Sequence, residues 1–169
     1  GFTHNNTSKL IYNSNPLFKP CTPEGCMELL KYYNIKIEGK HAVIIGRSQI
    51  VGKPLAHILL NANATVTICH SKTTNIEIIS KMADILFVAC GKPRFIKKNM
   101  IKNGAIIIDI GINVINDVTK KNGYSLVGDV DFDNVKNICD AITPVPKGIG
   151  PLTICMLMKH TVDAAERLL

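Results

Sequence analysis

Residues 41–60 have the sequence HAVIIGRSQIVGKPLAHILL, and this stretch decides the fold class. Its first five residues form an apolar run of strand length, which suits a parallel strand that is buried on both faces. A turn containing Gly46 and Gly52 follows, and residues 54–60 have the composition of a helix. The stretch therefore predicts a strand, a tight turn and a helix in direct succession.

The same alternation of apolar strands and helices continues on both sides. Strands are predicted at 64–69, 84–89, 105–110 and 140–142. Helices are predicted from Thr22, as N-cap, to Tyr33, from Thr74, as N-cap, to Met82, and at 131–136 and 154–168. Short extended pieces flank a turn at 121–123, and the polar residues 1–20 are expected to form a loop. Alternating strands and helices predict an α/β domain, a Rossmann-like three-layer αβα fold with a mostly parallel sheet.

Composition narrows the class of partner. The chain of 169 residues carries a net charge of +7, which favours anionic partners. Because its lysines are scattered and only 5% of its residues are aromatic, nucleic-acid binding is a remote alternative. A small phosphorylated or carboxylated molecule explains the charge as well as a solvated surface does.

The cysteines and the apolar runs of the sequence bear on whether the protein binds a metal ion and on where in the cell it resides. The six cysteines include no C-x-x-C pair and have no cluster of histidines beside them, so no metal site is predicted. We interpret them as reduced thiols of an intracellular protein, either cytoplasmic or organellar, whose targeting segment would precede this sequence. No apolar run reaches the ~18 residues of a membrane span, and no membrane partner is expected.

The turn after the first strand is a variant of the dinucleotide-binding pattern G-x-G-x-x-G. Gly46 permits a sharp turn, Ser48 stands where a second glycine is common, and Gly52 would let the helix pack closely. Amide groups at the helix start would face a pyrophosphate. A purely structural turn between strand and helix is the alternative interpretation.

The end of the second predicted strand indicates which dinucleotide is preferred. It continues as Cys69-His70-Ser71-Lys72, without the Asp or Glu that holds a ribose 2′-hydroxyl in NAD-binding domains. Arg47 can grip a phosphate with its planar fork, and Ser71 and Lys72 offer further donors. These residues predict NADP as the cofactor. For His70, a role in capping the loop and a role as a ligand remain equally open.

Several blocks in a fixed order resemble the methylenetetrahydrofolate dehydrogenase/cyclohydrolase family. They are Pro20-Cys21-Thr22-Pro23-x-Gly25, Gly39-Lys40, Gly46-Arg47-Ser48-x-Ile50-Val51-Gly52-Lys53-Pro54, Cys69-His70-Ser71-x-Thr73, Ala83-Asp84-Ile85, Asp109-x-Gly111-Ile112-Asn113, Gly128-Asp129-Val130, and the run from Ile142 to Thr153. Each block is weak alone, and together they are specific.

The resemblance implies a dual activity for the parent protein. Such enzymes oxidise 5,10-methylenetetrahydrofolate with NADP and hydrolyse the methenyl product to 10-formyltetrahydrofolate. The family's catalytic Tyr-x-x-x-Lys motif lies in an N-terminal domain that is absent here, so no catalytic residue is assigned and the isolated chain is expected to be inactive. Residues 1–20 are then an inter-domain linker, and 21–169 are the NADP-binding domain with its C-terminal helix. A folate substrate and a homodimer are implied as partners. A standalone NADP-binding regulatory module is the alternative.

The resemblance also implies a set of cofactor contacts. Arg47 and Ser71 would hold the 2′-phosphate, with His70 beside the adenosine. The remaining contacts would come from backbone and side chains along the dinucleotide, namely Gly46, Ser48, Ile50, Val51, Ala89, Cys90, Gly91, Gly111, Ile112, Asn113, Thr143 and Val145. Residues 148–151 would edge the folate pocket, and Asp129 would brace a loop.

One position departs from the family's pattern. Lys147 stands where the family usually has glycine, which often serves a positive φ or a close backbone approach. Its cation would either favour a carboxylated folate tail or point into solvent.

Overall fold

The computed structural model describes residues 1–167, so Leu168 and Leu169, which end the predicted helix and domain, lie outside the described residues. The helices are α1 (His4–Ile11), α2 (Cys21–Tyr32), α3 (Gly52–Asn61), α4 (Ile76–Ser80), α5 (Phe132–Val135) and α6 (Ile149–Glu166). The strands are β1 (His41–Ile45), β2 (Thr65–Cys69), β3 (Ile85–Val88), β4 (Ile106–Asp109), β5 (Asn113–Asn116), β6 (Tyr124–Val127) and β7 (Ala141–Ile142). A 3₁₀ turn spans Lys98–Met100.

Five strands form one parallel sheet in the order β2-β1-β3-β4-β7. The central strands β1 and β3 are apolar along their whole buried length, as the run at 41–45 predicted. From β1 the chain first adds β2 on one side and then returns to add β3 on the other. Ligands of such sheets bind outside the carboxyl ends of the strands at this switch point.

Helices cover both faces of the sheet. One face packs against α4, α5 and the 3₁₀ turn through a cluster that includes Leu86, Ile107 and Val135. The other packs against α2, α3 and α6 through a cluster that includes Leu30, Leu55 and Phe87. Burial of an apolar side chain of this size stabilises a fold by roughly 1.5–3 kcal/mol. The predicted three-layer, Rossmann-like αβα architecture is confirmed.

A separate antiparallel hairpin is formed by β5 and β6, which pair from Asn113 opposite Val127 to Asn116 opposite Tyr124. Gly123 has a φ of +73° at the turn, in the left-handed region that favours glycine. The turn predicted at 121–123 is therefore confirmed.

The loop predicted for residues 1–20 is wrong at residues 4–11, which form α1. The Thr3 side chain accepts a hydrogen bond from the Asn6 amide at the helix start. Asn6 is buried, and its side-chain oxygen accepts hydrogen bonds from the amides of Leu17 and Phe18. Asn6, one of the polar residues that suggested a loop, thus satisfies backbone groups of a packed segment.

Helix starts differ most from the prediction. Neither Thr22 nor Thr74 caps a helix: α2 begins at Cys21 after Pro20, and α4 begins after Asn75. Helix α6 begins at residue 149, five residues before the predicted start. Pro151 lies in the first turn of α6, where a backbone N–H has no hydrogen-bond partner within the helix. Proline is therefore tolerated there, and the helix begins before it.

Among residues 1–167, no helix is both long enough and apolar enough to cross a lipid bilayer.

Candidate functional site

A cavity of about 360 Å³ lies at the carboxyl ends of β1, β2 and β3, at the switch point of the sheet. Its lining contains many of the residues that the sequence singled out. The lining residues are Ile45, Gly46, Arg47, Ser48, His70, Ser71, Thr73, Ile76, Ala89, Cys90, Lys92 and Phe95.

The turn from β1 to α3 is held close to the sheet. Gly46 has a φ of +130°, and a Cβ there would overlap the carbonyl oxygen of Ala89. A Cβ on Gly52 would overlap the carbonyl of Gly46, so α3 packs directly on the turn, as predicted. Ser48 accepts hydrogen bonds from the amides of Val51 and Gly52 at 3.1 and 3.3 Å. The turn needs glycine at both positions and a small hydroxyl between them.

Besides apolar residues, the cavity lining contains two cationic side chains and three hydroxyl groups, and it includes no Asp or Glu. Arg47 and Ser71 enter from neighbouring turns. Lys92 lines the cavity too, with Nζ 5.4 Å above the Phe95 ring. Lys72 was predicted to be a further hydrogen-bond donor to the phosphate, but the lining contains Lys92 and not Lys72. Lys92 belongs to the loop after β3, which faces the cavity. Such a surface favours a phosphorylated ligand.

Of the two roles left open for His70, the structure shows the loop-capping one, and the role as a ligand stays a prediction. Its backbone amide donates to the Thr73 hydroxyl at 2.9 Å, and its Nδ1 accepts from the Lys72 amide at 3.1 Å. Because Nδ1 is the acceptor, the hydrogen of the neutral ring sits on Nε2. The histidine therefore orders the loop after β2 while lining the cavity.

Asp129 braces the loop after β3. Its carboxylate accepts hydrogen bonds from the amides of Cys90 and Gly91 at 2.7 and 2.8 Å and from the Asn113 side chain at 2.8 Å. Burial, and then the negative charge of Asp129, raise the pKa of the Cys90 thiol to about 12. Cys90 therefore remains a neutral thiol at the cavity wall, and Asp129 acts by holding two loops together.

Asp109, at the end of β4, is a second buried carboxylate, which the sequence analysis quoted in a family block without assigning it a role. It accepts hydrogen bonds from the amides of Gly111, Asp129 and Val130 at 2.9–3.0 Å. Burial raises the pKa of its carboxyl to about 6, although these three amides oppose the change. The signal in the sequence that could have identified Asp109 is an aspartate at the end of an apolar strand, followed two residues later by a glycine.

The raised pKa of Asp109 makes a pH-dependent contribution to stability. Because the folded state holds this proton more tightly, the contribution is full below about pH 4 and is lost as the pH rises through about 6. Relative to Asp109→Asn, which carries no titrating carboxyl, the wild type should lose on the order of 1–3 kcal/mol across this window. Urea unfolding of both proteins from pH 4 to 8 measures the difference, and a difference that is independent of pH would contradict the assignment.

A neighbouring cavity of about 290 Å³ contains Gly111, Ile112, Val145 and the start of α6. Residues 148–151, predicted to edge the folate pocket, are all in its lining. Lys147 also lines it and is exposed, with a φ of +76°. A non-glycine residue with a φ in this left-handed range carries about 1–2 kcal/mol of backbone strain.

The other predicted contacts lie around these two cavities. The Thr143 hydroxyl is buried and accepts the Asp109 amide at 2.8 Å. Asn113 and Gly91 both contact Asp129. Ile50, which is 59% exposed, and Val51, which directly precedes α3, are not in the cavity lining.

The chain is similar to proteins of one family over nearly its whole length. Residues 20–169 match the model of the tetrahydrofolate dehydrogenase/cyclohydrolase NAD(P)-binding domain. The bifunctional protein FolD of Campylobacter hominis is 55% identical over 166 residues, which are 98% of this chain and 56% of that protein.

Two solved structures share the fold. The FolD dehydrogenase/cyclohydrolase of Campylobacter jejuni has a TM-score of 0.93 and 46% identity, covering 99% of this chain and 57% of that one. The Trypanosoma brucei enzyme, complexed with NADP cofactor and an inhibitor, has a TM-score of 0.90 and 42% identity, covering 96% and 56%. The chain thus spans a little over half the length of these relatives. It belongs to the tetrahydrofolate dehydrogenase/cyclohydrolase family and corresponds to that family's NAD(P)-binding domain.

Proposed function

We propose that this chain is the NADP-binding half of an enzyme that oxidises 5,10-methylenetetrahydrofolate and hydrolyses the methenyl product to 10-formyltetrahydrofolate. The observation that carries the proposal is the cavity at the switch point, which contains Arg47, Ser71 and Lys92 and has no carboxylate in its lining. A carboxylate at the end of β2 would repel the 2′-phosphate of NADP, whereas these residues attract it.

The residues fit a dinucleotide in three parts. Gly46 and Ser48 form a tight turn that lets a pyrophosphate approach the first turn of α3. Arg47 and Ser71 bind the 2′-phosphate from the open side. Asp129 holds the loop after β3 and the Asn113 side chain in place for the nicotinamide half. NADP supplies the hydride acceptor, while the protein supplies orientation and electrostatics.

In this proposal the folate binds beside the cavity of about 290 Å³, which is lined by the residues at the start of α6. Lys147 then presents its cation toward a folate carboxylate. In this proposal the catalytic lysine of the reaction belongs to the family's N-terminal domain, and residues 1–169 by themselves bind the cofactor without turning over substrate.

Three further features belong to the proposal. Residues 1–20, with α1, connect the two domains, and residues 21–169 are the cofactor domain. The protein is a homodimer, consistent with exposed apolar residues on the β5–β6 hairpin such as Val114 and Val118. It resides inside the cell, cytoplasmic or organellar, which the unpaired state of its six cysteines favours.

The first test is a calorimetric titration of the purified chain with NADP and, separately, with NAD. We expect saturable binding of NADP and binding of NAD at least about tenfold weaker, since a charge-assisted hydrogen bond contributes about 1.5–3 kcal/mol. Equal affinity for both dinucleotides would contradict the proposed preference. Binding of neither, by a chain that circular dichroism shows to be folded, would contradict the site itself.

A further inference from the structure

A second cluster of reactive side chains lies between α2 and α6, outside the residues that line the cofactor cavity. Cys21 is the first residue of α2, Glu24 lies one turn later, and His160 projects from α6. The Cys21 Sγ lies 3.7 Å from His160 Nδ1, and His160 Nε2 lies 2.6 Å from Glu24 Oε2. A thiol, an imidazole and a carboxylate are therefore joined in series.

The carboxylate sets the direction of the series. An ionised Glu24 only accepts hydrogen bonds, so Nε2 of His160 carries the hydrogen on that side. Nδ1 is left with its lone pair toward Cys21 and can accept the thiol proton. A nucleophile next to a base that a third group orients is the arrangement that activates cysteine and serine nucleophiles.

The imidazole has little freedom to turn away. The side chains of His160 and Glu24 are only 12% and 19% exposed, and the Phe18 ring lies 5.2 Å from the imidazole, tilted by 48°. A hydrogen bond of 3.0 Å between the Thr22 and Thr153 hydroxyls ties the same two helices together. Cys21 itself is partly exposed, whereas Cys26 and Cys69 are buried.

We propose that Cys21 is an activated thiol that forms a mixed disulfide with a low-molecular-weight disulfide. In this step His160 Nδ1 takes the thiol proton as the Cys21 sulfur attacks one sulfur of the disulfide. A new S–S bond forms, the old one breaks, and the departing thiolate leaves with the proton from the imidazolium. Cys21 is oxidised and half of the small disulfide is reduced. The proposal does not depend on the cofactor assigned above.

The other cysteines provide an internal comparison. Cys26 and Cys69 are buried, and burial raises the pKa of both thiols. Burial likewise raises the pKa of the Cys90 thiol to about 12. It also raises the pKa of the Cys139 thiol. Cys155 is exposed on α6 and its thiol makes no hydrogen bond among the described residues, so it reports the reactivity of a thiol without a base.

The test uses the folded 169-residue chain and 5,5′-dithiobis(2-nitrobenzoate), with peptide mapping by mass spectrometry to assign each modified cysteine. We expect Cys21 to react at least about tenfold faster than Cys155, a conservative value for a positioned base. His160→Asn should bring the two rates within about threefold of each other. Glu24→Gln, which leaves the imidazole but weakens its orientation, should lower the Cys21 rate less. Oxidised glutathione should then give a mixed disulfide at Cys21 before any at Cys155.

The matched control is Thr153→Val, which removes the other hydrogen bond between α2 and α6 without touching the cluster. It should leave the Cys21 rate unchanged. An equal fall in Thr153→Val and His160→Asn would assign the effect to loosened helices and overturn the proposal. So would a Cys21 rate no higher than that of Cys155, or a rate that persists in His160→Asn. If circular dichroism shows His160→Asn to be unfolded, a Cys21 rate undiminished in folded Glu24→Gln overturns the proposal.

Discussion

The Arg47→Ala variant is expected to bind NADP about 10- to 100-fold more weakly than the wild type and to bind NAD with unchanged affinity. The reason is that Arg47 lines the cavity from the first turn after β1, where its guanidinium can hold two phosphate oxygens at once. Loss of such charged hydrogen bonds costs about 1.5–3 kcal/mol, and each 1.4 kcal/mol is a factor of ten in the dissociation constant. Calorimetric titration measures both affinities.

Two variants separate the geometry of this residue from its charge. Arg47→Lys keeps the charge but loses the planar fork, so its affinity for NADP should fall between those of the wild type and Arg47→Ala. Arg94→Ala removes an exposed arginine that is not in the cavity lining and should leave both affinities unchanged. An equal loss of NADP and NAD binding in Arg47→Ala would show that the residue does not select the 2′-phosphate.

The Gly46→Ala variant should lose about 3 kcal/mol or more of unfolding free energy and, with it, the cofactor site. Its φ of +130° lies where L-residues are strained, and the new Cβ would overlap the Ala89 carbonyl. Either the turn or the end of β3 must move, which adds the cost of overpacking. Urea denaturation gives the change in stability.

Gly39→Ala is the matched control. Gly39 also has a positive φ, +73°, but a Cβ there would meet no atom within 4 Å. Its cost should therefore be the backbone strain alone, about 1–2 kcal/mol, with NADP binding intact. If the two variants lose equal stability, contact with Ala89 is not what requires glycine at position 46.

The sequence was a good guide wherever a local pattern carries the physical cause. The apolar run at 41–45, followed by Gly46 and Gly52, predicts a buried parallel strand and a close turn. Both predictions succeed because a run of apolar residues and the conformational freedom of glycine are local properties of the chain. The absence of a carboxylate after Cys69 likewise agrees with a cavity whose lining includes no Asp or Glu. Helix starts were predicted less well, since Thr22 bonds Thr153 across two helices instead of capping its own.

Contacts between distant segments were beyond the sequence. Lys92, rather than Lys72, lines the cavity because the loop after β3 packs beside the one after β1. Asn6 is buried, although its neighbours suggested a loop.

By itself, then, the sequence determined the layered αβα architecture, the tight glycine turn after β1 and the sign of the charge around it, because each depends on residues close in the chain. The family resemblance already implied a bracing role for Asp129. Only the tertiary structure decided that Asp109 becomes a second buried brace and that Cys21, Glu24 and His160 meet. Those meetings join residues far apart in sequence, and burial and partnership, which set their chemistry, exist only after the chain has folded.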